Sequence, residues 1–319
     1  MRKTNQYPDF TGDRCQSYLI DPMDREIVDF AIKLGKPLVV EGEPGCGKTQ
    51  LAHAIAEDLG IKDGPKIVPV KSTSRANDLL YRYNALGRLQ DSQSKHEAQI
   101  NKAAQAYNYV ELEFLGKAIQ QGEPSVVLID EIDKADIDFA DDLLYVIENF
   151  KFQITEIPEN SHQEAMDQTQ LGHWIEGPEQ GFKPIVIFTS NRSKPLSKPF
   201  LRRCFYLELN FPNKESMLVD IVNANLAKLA TEKEVITLET ISKELIEAAV
   251  KSFLEIRKEA INSNVAKVPA TAELIDWVHV LHLRNIKAED LTNSNPPYWR
   301  LLFKLGEDLK LLQPSLLPK

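Results

Sequence analysis

Gly42-Glu43-Pro44-Gly45-Cys46-Gly47-Lys48-Thr49 spells G-x-x-x-x-G-K-T between a short apolar run and a helical pattern. Pro37-Leu38-Val39-Val40 precedes it, bounded by Gly35 and Gly42, and reads as a buried strand. After it, Leu51, Ala52, Ile55, Ala56 and Leu59 share one helical face, and Gly60 supplies a stop. Strand, loop and helix are therefore predicted in that order. Glycines in such a loop let backbone N–H groups curl around phosphate oxygens, and the helix start adds its positive dipole end. The nucleotide-binding stretch runs through Gln50, with Lys48 expected on the β- and γ-phosphates and the Thr49 hydroxyl on a magnesium ion. Cys46 fills a free position of the loop.

Downstream, Val126-Val127-Leu128-Ile129 forms a second buried strand, and Asp130 and Glu131 sit at its carboxyl end. Ligands of open parallel sheets bind beyond the carboxyl ends of the strands, which brings this acidic pair to the phosphate loop. Asp130 is expected to orient magnesium and Glu131 to polarise the attacking water as general base. Ile185-Val186-Ile187-Phe188 is a third buried strand ending in Thr189-Ser190-Asn191. Asn191, by itself only a polar strand end, is placed to hydrogen-bond that water or the γ-phosphate if the two strands are neighbours. Arg202 and Arg203 precede an alternating strand, Phe205, Leu207 and Leu209, and are the best-placed cations to neutralise a transferred phosphoryl group.

The rest of the chain sets limits. At 319 residues it exceeds a single core, so a second domain is expected. Hydrophobic residues make up 43% and charged ones 27%, an ordinary globular composition. A formal charge of −9 disfavours sequence-independent nucleic-acid binding. Cys15, Cys46 and Cys204 are too far apart for a disulfide framework or a zinc cluster, and no apolar run approaches a membrane span. A cytoplasmic location is the expectation. Residues 1–17 read as a polar arm, and Asp21-Pro22 as the start of a helix. Lys66 to Val70 is a strand that Pro69 pushes to an edge. Ser72 to Gln105 reads as an exposed insertion, and Val110 to Ile119 as a helix. Phe150, Phe152 and Ile154 alternate as a half-buried strand, expected to pair with Ile185 to Phe188 across a long polar tip that holds His162 and His173. Beyond Phe211-Pro212-Asn213 only helical stripes remain, the last from Tyr298 to Leu312. His279 and His282 lack further ligands at metal-binding spacing.

GEPGCGKT, VVLIDEID, VIFTSN and PFLRRCF, in this order and spacing, resemble the AAA+ ATPases over most of the chain. The strand between the DEID helix and the TSN strand, with an insertion ahead of DEID, makes it look most like the MoxR-type group. The resemblance implies an α/β P-loop NTPase core with a five-stranded parallel sheet in order 5-1-4-3-2, a β-hairpin insertion and a C-terminal all-helical lid. It implies ATP with Mg2+, ATP hydrolysis and a homo-oligomeric ring, usually hexameric, in which a neighbour's arginine completes each site. Lys48 and Thr49 match Walker A, Asp130 and Glu131 match Walker B, and Asn191 matches the polar sensor. Arg202 or Arg203 matches the arginine finger, the doubled arginine leaving the choice open. Tyr18 to Ile20 lies where the family's linker packs on adenine, so Tyr18 and Ile20 join the nucleotide-binding set. The family often places an arginine at the start of a late lid helix, whereas Val268-Pro269-Ala270-Thr271-Ala272-Glu273 has none, so lid closure on ATP is expected to depend on other contacts.

The expected organisation is an arm over 1–17, a nucleotide-binding core over 18–213 and a helical lid over 214–319. The leading functional expectation is a chaperone-like motor that remodels or assembles a partner protein, gripped by the Ser72 to Gln105 insertion and the hairpin tip. The resemblance suggests a partner with a von Willebrand A-type domain. The rival is a nucleotide-gated switch or scaffold in a defence or signalling complex, with slow hydrolysis. A small-molecule kinase would share the loop without needing Asn191, the arginine pair or the helical region.

Overall fold

The computed structural model describes residues 7–15, 18–159, 171–212, 214–232, 241–292 and 295–316. Its strands are β1 (Leu38–Gly42), β2 (Lys66–Pro69), β3 (Tyr81–Tyr83), β4 (Val110–Leu112), β5 (Val126–Asp130), β6 (Lys151–Gln153), β7 (Trp174–Glu176), β8 (Ile185–Ser190) and β9 (Phe205–Leu209). The helices are α1 (Pro22–Leu34), α2 (Lys48–Asp58), α3 (Ala85–Ser92), α4 (Glu97–Ala104), α5 (Phe114–Gln121), α6 (Ile137–Asn149), α7 (Lys198–Arg203), α8 (Glu215–Glu232), α9 (Lys243–Asn262), α10 (Thr271–Leu283) and α11 (Gly306–Leu316). His162 and Asn213 lie outside the described residues.

The main sheet has the order β2-β5-β8-β1-β9, the expected 5-1-4-3-2 arrangement of its five strands read from the other edge. β8 is flanked by β5 and β1 in parallel, with Leu128 and Leu38 both opposite Ile187. All six β8 residues are buried, as a strand covered on both faces requires. β2 is the edge strand, and Pro69, which has no N–H to donate, is tolerated there. Phe188 and Phe200 meet edge to face at 5.0 Å within the core under this sheet.

By contacts the chain forms two compact units. The first comprises Met1–Thr11, Pro22–Glu41 and Ile55–Leu207; the second comprises Gly12–Asp21, Gly42–Ala54 and Glu208–Lys319. Tyr7 and Phe10 in the first and Cys15 in the second are buried, because the polar N-terminal stretch carries these apolar anchors. The Phe10 and Thr11 N–H groups donate to Asp29 and Asp58 at 3.0 and 2.9 Å. The second unit packs α8, α9, α10 and α11 around Trp277, Phe253, Val250 and Leu274, all fully buried. The Trp277 indole N–H donates to the Pro297 carbonyl at 2.9 Å, which satisfies its polar edge.

Four sequence expectations are corrected. The strand at Phe150 to Ile154 is β6, and it pairs antiparallel with β7, not with Ile185 to Phe188. Both edges of β8 are taken by β5 and β1, so the hairpin needed another partner. Val110–Leu112 is strand β4 rather than helix, because it pairs with β3 from about thirty residues upstream, a contact that local periodicity does not carry. The Ser72 to Gln105 segment is only partly exposed: α3 buries no residue, but Leu79, Leu80 and Tyr81 enter the core. Tyr298 to Leu312 is not one helix, since a short 3-10 turn at Trp299–Leu302 is followed by α11 from Gly306. Gly306 is a poor helix interior residue, and Asp308 beside it is turned back to accept the Ala266 and Lys267 N–H groups at 2.8 and 3.1 Å.

Candidate active site

Within the second unit, the stretch that leaves β1 folds as a tight loop into α2. Gly45 and Gly47 have φ of +85° and +95°, values that β-carbon sterics make costly for other residues, so the loop needs glycine there. A Cβ on Gly42 would fall 2.4 Å from the Leu209 carbonyl oxygen, so that glycine answers a close approach instead. Lys48 is buried, and its ammonium donates to the Gly42 and Glu43 carbonyls at 2.7 and 2.9 Å. Its cation is therefore folded back onto the carbonyls of its own loop. Thr49 is half-buried in the first turn of α2, and Gln50, Glu43 and Pro44 are exposed. The Tyr18 ring lies against Gly47, 3.3 Å from where a Cβ would stand, while Ile20 packs toward Gly12. Burial raises the Cys46 thiol pKa.

Within the first unit, the carboxyl end of β5 and that of β8 build an acidic cluster. The Thr189 hydroxyl, fully buried, donates to Asp130 Oδ1 at 2.5 Å and accepts the Glu131 N–H at 2.8 Å. One side chain thus orients both acidic residues. Glu131 sits in the left-handed region at φ 60°, a conformation that costs a non-glycine residue about 1–2 kcal/mol. The result is a carboxylate turned onto β8: Asn191 Nδ2 donates to Glu131 Oε1 at 3.1 Å. Lys134 grips the other carboxylate oxygen, and this hydrogen bond holds its own ammonium above the usual lysine range.

Sequence reasoning missed three members of this neighbourhood. Asp133, read only as part of a helix start, is buried and accepts the Asn191 and Ser193 N–H groups at 3.2 and 2.8 Å, pinning the turn after β8. Arg192 occupies the left-handed region at φ 61° and reaches Glu41 at 3.2 Å, while the Tyr206 hydroxyl donates to the same carboxylate at 2.7 Å. Lys134 was visible only as one charge in a polar run. The signal in each case is a polar residue within four positions of a buried strand's end, too common to stand out unaided.

Arg202 and Arg203 end α7 and line a cleft of about 550 Å³ with Lys36, Glu148, Lys198 and Pro199. Arg203 is ion-paired to Glu148 at 3.2 Å; among the described residues no hydrogen bond or ion pair reaches Arg202. Asp130, Glu131 and Asn191 do not line this cleft. Burial pushes the adjacent Cys204 thiol up to about 12. Among the described residues no group of three or more histidine, cysteine, aspartate or glutamate side chains is placed to hold a metal ion by itself.

A parallel sheet in this strand order, with a glycine-rich loop and helix after β1 and an acidic pair after β5, defines the phosphate-loop class of α/β proteins. The chain belongs to the AAA domain family, dynein-related subfamily, which it matches over residues 37–204, just over half its length. No curated protein matches it. Among solved structures it is similar to a mutant of RuvB from Thermotoga maritima, with 17% identity and a TM-score of 0.42, over 89% of this chain and 75% of that one. No helix among the described residues is long and apolar enough to cross a membrane.

Proposed function

We propose that this protein is a magnesium-dependent ATPase that works as a homo-oligomeric ring, of hexameric type, to remodel or assemble a partner protein. The observation that carries the reading is the 3.1 Å hydrogen bond from Asn191 to Glu131. A base and a polar side chain that orients it stand together at the carboxyl edge of a parallel sheet, where such folds bind ligands.

The residues suit ATP with Mg2+. The loop is glycine-rich and opens a helix, and Lys48 offers a cation whose hydrogen bonds go to the Gly42 and Glu43 carbonyls. Lys48 would move onto the β- and γ-phosphates, Tyr18 and Ile20 would flank the base, and Thr49 and Asp130 would hold the metal. Magnesium, when bound, neutralises phosphate charge. Glu131 would take the proton of the attacking water, while Asn191 keeps that carboxylate and the water aligned. Arg202, which no hydrogen bond or ion pair reaches among the described residues, is the arginine we assign to a neighbouring subunit's phosphate, and its cleft is not lined by Glu131. The β6–β7 hairpin between α6 and β8 supports the MoxR-type group and, with it, a von Willebrand A-type partner. Leu86 and Leu89 on α3 and Ile100 on α4 are exposed apolar residues suited to gripping a client.

A second reading, a nucleotide-gated switch with slow hydrolysis, is favoured by one feature. Lys134 and Asn191 each hold one oxygen of the Glu131 carboxylate, so both contacts compete with an attacking water for it. Phosphate release from ATP tests both. Glu131→Gln should lower kcat at least a hundredfold while ATP still binds, and Lys48→Ala should abolish binding. Partner function retained by Glu131→Gln would identify the switch. Phosphate release undiminished in Glu131→Gln would refute the site.

A further inference from the structure

The phosphate loop is gripped from the helical part of its own unit. Arg257, on α9, is only 8% exposed at its side chain. Its guanidinium stacks on Phe211, 3.7 Å from the ring centroid, donates to the Pro269 carbonyl, and donates to Glu43 Oε2 at 2.9 Å. One turn into the loop, the Thr271 hydroxyl at the start of α10 donates to the Gly45 carbonyl at 2.6 Å. A Cβ on Gly45 would stand 2.9 Å from that of Ala270, so helix and loop are in close contact.

Glu43 is the junction. Its backbone carbonyl accepts from Lys48, and its carboxylate accepts from Arg257. The cation expected to meet phosphate and the cation anchored in the helical part thus share one residue. Arg257 is fixed by the stack and by Pro269 whatever Glu43 does, because its planar fork bonds in two directions at once. Glu43 is 58% exposed and is the partner able to move. Any shift of Lys48 off the Glu43 carbonyl is felt at this pair.

We infer that Arg257 is a positioning residue of the phosphate loop: acting through Glu43, it sets the loop's geometry before ATP arrives and ties that geometry to the helices that follow β9. The inference rests on the ATP site proposed above. A loop already held in shape does not have to be ordered by the ligand, so the pair's contribution appears as affinity.

The test measures ATP affinity by titration with a fluorescent ATP analogue in the presence of magnesium, beside steady-state hydrolysis and the melting temperature without nucleotide. Glu43→Gln should weaken ATP about tenfold and raise KM in parallel, with kcat held within about threefold because Glu131 and Asn191 are untouched. Its nucleotide-free melting temperature should hardly change, since the glutamate side of the pair is largely exposed. Arg257→Gln should weaken ATP similarly, Arg257→Lys less, and Glu43→Gln combined with Arg257→Gln no more than the worse single change. Affinity within twofold of wild type in Glu43→Gln, or multiplicative losses in the double variant, would overturn the inference. If Arg257→Gln does not fold, Glu43→Gln and its KM-against-kcat split decide alone. Failure of the wild-type protein to bind ATP at all would remove both the ATP site and this inference. Binding that ignores Glu43 would remove only the inference.

Discussion

Replacing Asp133 should loosen the turn that presents Asn191, with a cost that its hydrogen bonds allow to be set in advance. The carboxylate is 2% exposed and accepts two backbone N–H groups, from Ser193 at 2.8 Å and Asn191 at 3.2 Å. A hydrogen bond to a charged group contributes about 1.5–3 kcal/mol; with the longer contact counted at about 1, Asp133→Ala should destabilise the first unit by about 3 kcal/mol. Asp133→Asn keeps the shape and one neutral acceptor, so about half of that loss should remain. At about 2–4 °C per kcal/mol for a unit of this size, thermal unfolding should show a drop of roughly 6–12 °C for Ala and half as much for Asn. Because Asn191 then holds Glu131 less well, kcat should fall about tenfold or more while ATP affinity, which depends on the loop, stays within twofold. Equal stability of the Ala and wild-type proteins, or a kcat unchanged despite the drop in melting temperature, would show that Asp133 does not position the turn.

The arginine pair should separate by function: Arg202→Ala should abolish the more-than-linear rise of hydrolysis with protein concentration, while Arg203→Ala, which breaks the Glu148 pair, should leave it in place. Hydrolysis strictly proportional to concentration in the wild-type protein would sink the shared site. Iodoacetamide at pH 7.5 should modify Cys46 and Cys204 far more slowly in the native than in the urea-unfolded protein. A Cys204 thiol near 12 exposes on the order of a thousandfold less thiolate than an ordinary one, and the rate should climb only as pH approaches 10 and above. Matching native and unfolded rates, read by mass spectrometry, would contradict the burial assigned to these thiols.

Chain order and chemistry carried much of this molecule. Gly42 to Thr49 foretold strand, loop and helix, since each part of that pattern is enforced by neighbours in sequence: branched apolar residues, glycines at positive φ and a helical face ending in Gly60. VVLID and VIFTS were legible as buried strands for the same reason, and Pro69 marked an edge because it lacks an N–H. Partners across the chain were not legible. β6 meets β7 and β4 meets β3 through ladders whose other half lies elsewhere in the sequence. Hydrogen bonds to side chains behave likewise: that Glu131 faces Asn191 and Lys134, that Asp133 is buried under the Asn191 turn, and that Arg203 pairs with Glu148 depend on folded distances. So does the grip of Arg257 on Glu43, across 214 residues. The sequence by itself determined the residue types at the phosphate loop and the acidic strand end, because local sterics and composition act within a few residues. The tertiary structure alone decided which of those groups hold one another, because charge and hydrogen bonding act through space.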